Sequence, residues 1–301
     1  MLVYTGPVPT KEPYRNMHTE NRKERPLGLK YRTARIGKGV LRWVVLAAFV
    51  FPVLWTIAAS FKSEKDLFAY PPKIFFSPTI DGYKQVLTLT PILTYILNSV
   101  IVCTVALVIG MVIGTAAAYV LSRVRMRRSR DISFWILSTR MAPPIVMAVP
   151  FFLLSRRLHI YDTRLLLVVI YLAINLPFIV WSMRSYLDQI PVELDEAAMV
   201  DGLSRSAILW KIIVPVSLPG LWATAILTFI FEWNEFLFAF LLTGNRAKTV
   251  PVAMAAFVTQ EGMRWNQMLA AATLVLTPIL IFVAFAHRYL VRGLIEGAVK
   301  G

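Results

Sequence analysis

Cysteine and histidine are almost absent from this 301-residue sequence, which has one Cys and three scattered His. A single Cys excludes a disulfide framework and a cysteine metal cluster, and the His spacing matches no metal-ligand motif. The sequence also lacks a Gly-x-x-x-x-Gly-Lys-Ser/Thr run, so it carries no phosphate-binding loop of its own. We therefore expect no metal, no cofactor and no catalytic residue set in this chain.

Charge is scarce as well, with 16% charged and 57% apolar residues. An ordinary soluble domain has about 25% charged residues, so this composition excludes that class. The net charge of +15 could indicate a nucleic-acid partner. In a chain this apolar it is more typical of basic cytoplasmic loops, and we expect no nucleic acid.

Long apolar runs dominate the sequence, and six have the roughly 20 residues that a membrane-spanning helix needs. The predicted spans are approximately 40–60, 93–122, 132–155, 165–186, 218–243 and 268–290. The first begins after about forty mostly polar residues, too late for a cleavable signal peptide. We predict an all-α polytopic membrane protein with six transmembrane helices. Its tails are 1–39, which is basic, and 292–301, and its membrane domain is 40–291.

Lysine and arginine predict the orientation, because cytoplasmic loops are enriched in them. Ten lie in the N-terminal region through Arg42, five in 123–130, three between spans four and five and three in the C-terminal tail. The loops of the opposite side hold ten together. Both termini and the loop 188–217 are therefore predicted to be cytoplasmic.

The loop 188–217 reads as two short helices joined by a turn. Pro191 suits the first position of a helix, and the acidic residues after it complement the helix dipole. Gly202 can adopt the left-handed conformation that ends a helix, and Ser204 can cap a second one. An apolar stripe marks the second helix, formed by Ile208, Leu209, Ile212 and Ile213. Pro215 and Pro219 then break the chain.

The first of these helices has the composition of a protein contact. Ala197 and Ala198 are expected to make a flat face, with Glu196 and Asp201 as charges at its edge. The alternative is an interfacial helix that binds only membrane lipid, which would carry Lys and Arg on its polar face. Acidic residues dominate instead, which favours a protein partner.

The spacing of Glu196-Ala197-Ala198, Gly202, Ile212 and Pro215 resembles the EAA loop of ABC importer permeases, with Val214 in place of the usual Leu. Further stretches are similar to the maltose-type permease family of carbohydrate importers, which has the type I permease fold. They are Thr139–Phe151, Tyr161–Thr163, Asn175–Phe178, Trp233–Phe238 and Arg292–Gly301.

The resemblance implies an assembly in a bacterial-type plasma membrane. Its parts are this permease, a companion permease that is usually non-identical, two ATPase subunits and an extracytoplasmic substrate-binding protein. The outer loop of about 245–267 is implied to reach the binding protein, and the loop 188–217 to enter a cleft on an ATPase subunit. The implied ATPase-coupling residues are Glu193, Glu196, Ala197, Ala198, Asp201, Gly202, Ile212 and Pro215.

Polar side chains inside the predicted spans mark a possible sugar path, because such residues usually face protein or a water-filled route. The candidates are Arg140, Asn175, Glu232, Trp233, Asn234 and Glu235. Arg140 precedes Pro143-Pro144, where the third span should kink or break. The alternative for each residue is a contact between helices or subunits.

Three other functions compete with carbohydrate import. A permease of the same fold could import another solute, such as an amino acid or a phosphorylated polyol. A secondary transporter would bind its coupling ion at an intramembrane acid such as Glu232, but it would need no EAA spacing. A membrane enzyme is disfavoured, because the sequence has no nucleophile–base pattern.

Overall fold

A computed structural model describes residues 29–124, 127–259 and 262–298 of the chain. Within these ranges the structure is almost entirely helical. The helices are α1 (Leu29–Ala59), α2 (Glu64–Leu67), α3 (Asp81–Leu89), α4 (Ile92–Arg123), α5 (Ser129–Ser138), α6 (Pro144–Arg157), α7 (Arg164–Leu187), α8 (Glu193–Val200), α9 (Arg205–Ile208), α10 (Val214–Val216), α11 (Leu218–Trp233), α12 (Leu237–Leu242), α13 (Val250–Ala255) and α14 (Trp265–Ala298). The prediction of an all-α fold missed one small hairpin, in which β1 (Val258–Thr259) pairs antiparallel with β2 (Gly262–Met263).

Four of the described helices contain a segment long and apolar enough to cross a membrane, and two bent helix pairs bring the number to as many as six. The four segments are Lys38–Ala59, Ile92–Arg123, Arg164–Leu187 and Trp265–Phe285. They coincide with the first, second, fourth and sixth predicted spans. The count of six and the cytoplasmic termini remain predictions, and residues 1–28 and 299–301 of the two tails lie outside the described residues.

The third predicted span is broken where its prolines indicated. Asp131–Met141 and Pro144–Arg157 meet at an angle of 86°. Pro144 begins α6, where its missing N–H leaves no intrahelical bond unmade. The pair of prolines therefore ends one helix and starts another within the same predicted span.

The fifth predicted span, 218–243, is not one continuous helix in the structure. The helix α11 ends at Trp233, and α12 starts only at Leu237. The Glu235 carboxylate accepts hydrogen bonds from the backbone N–H groups of Phe238 at 2.8 Å and Ala239 at 3.0 Å. Glu235 thus satisfies two N–H groups in the first turn of α12, which starts as a new helix inside the predicted span.

A second bend precedes α11, in the region where Pro215 and Pro219 were expected to break the chain. Arg205–Val216 and Leu218–Trp233 are inclined by 81°. The described residues divide at Val53 into two compact units, and the functional sites below all belong to the unit that starts at Leu54.

Three apolar clusters form the interior of this unit, and α4 contributes to each of them. Near its start, Ile92 and Tyr95 pack with residues of α3, α13 and α14. In its middle, Val102 and Cys103 pack with α6, α7, α11 and α12. At its end, Tyr119 packs with α7, α8 and the segment after α9.

The helices α4 and α7 approach closely because α4 carries two glycines one turn apart. A Cβ on Gly110 would lie 2.9 Å from Cδ1 of Ile179, and one on Gly114 would lie 2.5 Å from its Cγ2. Small residues at this spacing let two helix backbones come close in a membrane protein. The contact fixes α4 against α7 beside the cluster that contains Tyr119.

Candidate functional site

The loop 188–217 folds as the two helices that the sequence predicted, with some differences in detail. The helix α8 begins at Glu193, so Pro191 lies two residues before it and is not its first residue. Gly202 follows with a positive φ of 81°, as expected. The Ser204 side chain accepts a hydrogen bond from the Ala207 N–H and caps α9.

Two faces of α8 have different surroundings. Asp195 and Ala198 are buried, with 3% and 4% of their surface exposed, and Ala198 packs in the cluster around Tyr119. The opposite stripe is exposed and consists of Glu193, Glu196, Ala197 and Val200. Ala198 was expected on the outer face beside Ala197. It turns inward because neighbouring residues of a helix are about 100° apart around its axis.

A buried ion pair attaches α8 to α4. The guanidinium of Arg123 donates from Nε to Asp195 Oδ2 at 3.0 Å, and both side chains are almost fully buried. The Tyr119 hydroxyl donates to Asp195 Oδ1 at 2.6 Å, and Arg123 Nη2 donates to the Ile190 carbonyl at 2.9 Å. Both carboxylate oxygens are therefore satisfied, which a buried charge requires. The sequence analysis did not single out Asp195.

The second half of the loop packs its apolar stripe inward. Ile208, Leu209 and Ile213 are buried, and Ile212 is partly buried. The stretch Leu209–Ile213 is a π-helical turn, a local widening that is frequent at functional sites. Asp201, Gly202 and Pro215 remain exposed.

Four of the six predicted path residues line one cavity of about 430 Å³: Arg140, Asn175, Asn234 and Glu235. The Arg140 guanidinium lies over two aromatic rings that contact each other, 5.1 Å from the centroid of Phe178 and 5.2 Å from that of Phe231. Arg140 lies at the break between α5 and α6. Asn234 and Glu235 lie at the break between α11 and α12. The cavity thus lies where both helices are interrupted.

The structure does not place Glu232 and Trp233 in this cavity. Glu232 is 1% exposed, and neither carboxylate oxygen has a hydrogen-bond partner among the described residues. Trp233 is 4% exposed and stacks on Phe229 at 5.5 Å between ring centroids. Trp233 belongs to the cluster that contains Val102 and Cys103, and Glu232 lies against that cluster. Over the same ranges, no group of three or more His, Cys, Asp or Glu is placed to hold a metal.

A polar cluster on the predicted outer side was also missed. Asp162, in the loop between α6 and α7, accepts hydrogen bonds from four successive backbone N–H groups, those of residues 244–247. Burial acts to raise the pKa of the Asp162 carboxyl, but these N–H donors together outweigh it, and the pKa lies below the ordinary value of 3.8. Asn98 of α4 donates to the carbonyls of Arg246 and Lys248 at 3.0 and 2.8 Å.

Comparison with known proteins gives a family. The sequence profile described as "Binding-protein-dependent transport system inner membrane component" matches residues 106–296. The chain is 41% identical to the probable ABC transporter permease protein y4oR of Sinorhizobium fredii, over 89% of this chain and 97% of that protein. It is 37% identical to the trehalose/maltose transport system permease protein MalG of Thermococcus litoralis, over 84% of this chain and 92% of the relative.

The fold is also similar to that of solved transporters. One chain of the crystal structure of a bacterial ABC transporter involved in the import of the acidic polysaccharide alginate superposes with a TM-score of 0.69. The match covers 87% of this chain and 98% of that one, at 23% identity. An inward-facing structure of the MetNI methionine ABC transporter superposes with a TM-score of 0.55 over 66% of this chain and 94% of that one, at 19% identity.

Proposed function

The chain belongs to the family of binding-protein-dependent transport system inner membrane components, and we propose on that premise that it imports a carbohydrate. It is a permease subunit of an ABC importer, and ATP hydrolysis is assigned to a separate ATPase chain. The proposal gives each site described above a role. The loop 188–217 couples to the ATPase, the cavity beside Arg140 is part of the sugar path, and the outer loop meets the binding protein.

The single observation that carries the coupling role is the two-sided build of α8. Its inner side is fixed to α4 through the buried Arg123–Asp195 pair. Its outer side presents two carboxylates, a small side chain and an apolar one, and Val200 is 88% exposed. With Leu194 and Met199, which are 40% and 43% exposed, Val200 gives the short helix α8 three exposed apolar side chains, and clustered exposed apolar surface is typical of interaction sites. This surface is therefore suited to a protein partner.

Charge and size define how that partner would fit. The outer stripe carries the two carboxylates of Glu193 and Glu196 and the apolar side chains of Ala197 and Val200. A cleft on the partner with basic edges and an apolar floor would therefore be complementary to it. Ala197 adds little bulk and lets the partner approach the helix closely. We assign this partner as one ATPase subunit.

Carbohydrate as the substrate class is supported by the relatives and by the cavity. Besides the trehalose/maltose permease, the chain is 32% identical to the diacetylchitobiose uptake system permease protein DasC of Streptomyces coelicolor, over 89% of this chain and 98% of that one. Side-chain amides, a guanidinium and phenylalanine rings line the cavity. Such groups can bond sugar hydroxyls and pack against the apolar faces of sugar rings.

The cavity is not enclosed by the described residues, and we assign its remaining wall to a companion permease. One chain lines it through residues of α6, α7, α11 and α12 together with Arg140. A sugar passing there would contact both permeases. The companion, the ATPase pair and the extracytoplasmic binding protein complete the transporter.

Substitutions on the outer stripe of α8 test the coupling role. Ala197→Trp adds bulk to the proposed contact, and Glu196→Lys reverses a charge there. Both variants should insert and accumulate normally in the membrane, yet co-purify with less ATPase and support less sugar uptake. Overpacking typically costs about 1–3 kcal/mol, which corresponds to a roughly five- to 150-fold weaker association.

Ala48→Trp is the matched control, because Ala48 is an exposed alanine on the apolar helix α1. It should leave ATPase co-purification and uptake at the wild-type level. If Ala197→Trp and Glu196→Lys both assemble and transport normally, the loop 188–217 is not the coupling element.

A further inference from the structure

The segment 244–250 has no regular secondary structure over most of its length, yet half of its backbone polar groups, seven of fourteen, are bonded to three side chains from elsewhere in the fold. We refer to it as the clamped segment. Asp162 accepts from the N–H groups of Gly244, Asn245, Arg246 and Ala247, at 2.8, 3.2, 3.1 and 2.9 Å. Each carboxylate oxygen receives two of these bonds.

Two side chains of α4 hold the same segment from another direction. Asn98, which is fully buried, donates to the carbonyls of Arg246 and Lys248 and accepts from Arg164 Nε at 2.7 Å. Ser99 Oγ accepts from the Val250 N–H at 2.9 Å, at the start of α13. The clamped segment is thus fixed along its whole length, up to the first residue of the next helix.

Asp162 reaches the segment only because two positions permit it. Its own φ is +58°, a conformation that Asp tolerates better than most residues, and its N–H donates to the Leu242 carbonyl. On the other side, a Cβ at Gly244 would lie 2.9 Å from Asp162 Oδ2. The contact therefore requires glycine at 244 and a short carboxylate at 162.

We propose that Asp162 is a positioning residue that presets the clamped segment for docking of the binding protein. The segment leads directly into α13 and the β1–β2 hairpin, where the side chains of Val258 and Met263 are exposed. A surface held in its bound shape before contact loses less conformational freedom on association, which strengthens binding. This inference rests on the proposed function, since that function supplies the partner.

The chemistry of the clamp makes Asp162→Asn a sharp test. An amide of the same shape keeps one acceptor oxygen, but its NH₂ group turns two donors toward backbone N–H groups that also donate. Half of the bonds are therefore lost without any change in side-chain size. Gly244→Ala disturbs the same contact from the opposite side. Asp81→Asn is the matched control, because Asp81 is an exposed carboxylate at the start of α3.

The first experiment measures ATP hydrolysis by the complete transporter in lipid nanodiscs as purified, sugar-loaded binding protein is titrated. In Asp162→Asn and Gly244→Ala, the half-saturating concentration of binding protein should rise about tenfold, as expected for a less preorganised surface. The basal rate and the rate at saturation should stay at the wild-type level, and Asp81→Asn should match the wild type throughout. An unchanged half-saturating concentration, or a lower maximal rate explained by less assembled complex, overturns the positioning role.

A second measurement separates this inference from the proposed function. Hydrogen exchange of the complete transporter reports the four amides of 244–247 directly, without the binding protein. Exchange there should be about tenfold faster in Asp162→Asn than in the wild type or in Asp81→Asn, because clamp opening is then more frequent. Unchanged exchange overturns the inference. If exchange responds but binding protein does not stimulate the wild-type transporter, it is the proposed function that fails.

Discussion

Asp195 shows how much one buried side chain determines in the loop 188–217. It joins α8 to α4 through Arg123 and Tyr119, although it is not part of the motif that identified the loop. Removing one member of a buried ion pair leaves the other charge without compensation, which is more damaging than losing both. The carboxylate is therefore needed for α8 to keep its place.

Asp195→Ala should lower the stability of the purified subunit by about 3–5 kcal/mol, because the Arg123 guanidinium stays buried without a counter-charge. The measurement is thermal unfolding in detergent. Asp201→Ala, at an exposed position of the same loop, should leave the unfolding temperature unchanged. A similar small effect of both substitutions would show that the ion pair does not hold α8.

Asp162 predicts how the outer clamp responds to pH. Its pKa is depressed, so the hydrogen bonds favour the charged form, and their stabilising contribution is complete above the ordinary value of 3.8. It is lost only as the pH falls through the depressed value. Amide protection of 244–247, corrected for the intrinsic exchange rate, should therefore be constant between about pH 5 and pH 8. A loss of protection within that window would contradict the assignment of Asp162 as the group that holds the segment.

At the scale of elements, the contact of α4 with α7 makes a prediction that one methyl group can test. Gly114→Ala places a Cβ 2.5 Å from Ile179 Cγ2, so the helices must separate or Ile179 must move. We expect a loss of about 1–3 kcal/mol in the stability of the subunit. Thermal unfolding measures this, and the losses caused by Gly114→Ala and Ile179→Ala should be less than additive in the double variant.

Gly39→Ala is the control for this prediction, because a Cβ at Gly39 of α1 meets nothing within 4 Å. Alanine is the better helix former, so this change should be neutral or stabilise the helix by roughly 0.5–1 kcal/mol. Equal destabilisation by the two substitutions would mean that the close approach of α4 and α7 is not the cause.

Sequence patterns predicted the elements whose causes are local. The prolines at 143 and 144 indicated a broken span, Gly202 indicated a left-handed turn, and Ser204 indicated a cap, and each was confirmed. The break after Trp233 was not predicted, because the hydrogen bonds that Glu235 accepts from the first turn of α12 depend on the fold.

The missed site residues have partners that are distant in sequence. Asp195 is 72 residues from Arg123, and Asp162 is 82 residues from Gly244. Helical periodicity likewise could not decide which of Ala197 and Ala198 faces the subunit interior. That depends on where α4 and α7 lie, which no local pattern specifies.

For the whole molecule, the uneven distribution of Lys and Arg predicts which loops face the cytoplasm. In a Cys103→Ser background, a single cysteine at Ser206 should resist an impermeant thiol reagent added to intact cells. One at Ser77 should be labelled from outside, since it lies in the loop between the first two spans. Both side chains are exposed in the structure, so burial does not confound the comparison. Labelling of Ser206 from outside would reverse the orientation.

The helix α4 has an anchor at each end. Near one end, Asn98 and Ser99 hold the clamped segment. At the other, Arg123 holds α8. Its 32 residues span about 48 Å at 1.5 Å per residue. If α4 moves as a rigid body, a tilt at the end that holds α8 also displaces the end that holds the clamped segment. Under the proposed function, rigid-body movement of this one helix would couple ATP binding at its inner end to docking of the binding protein at its outer end.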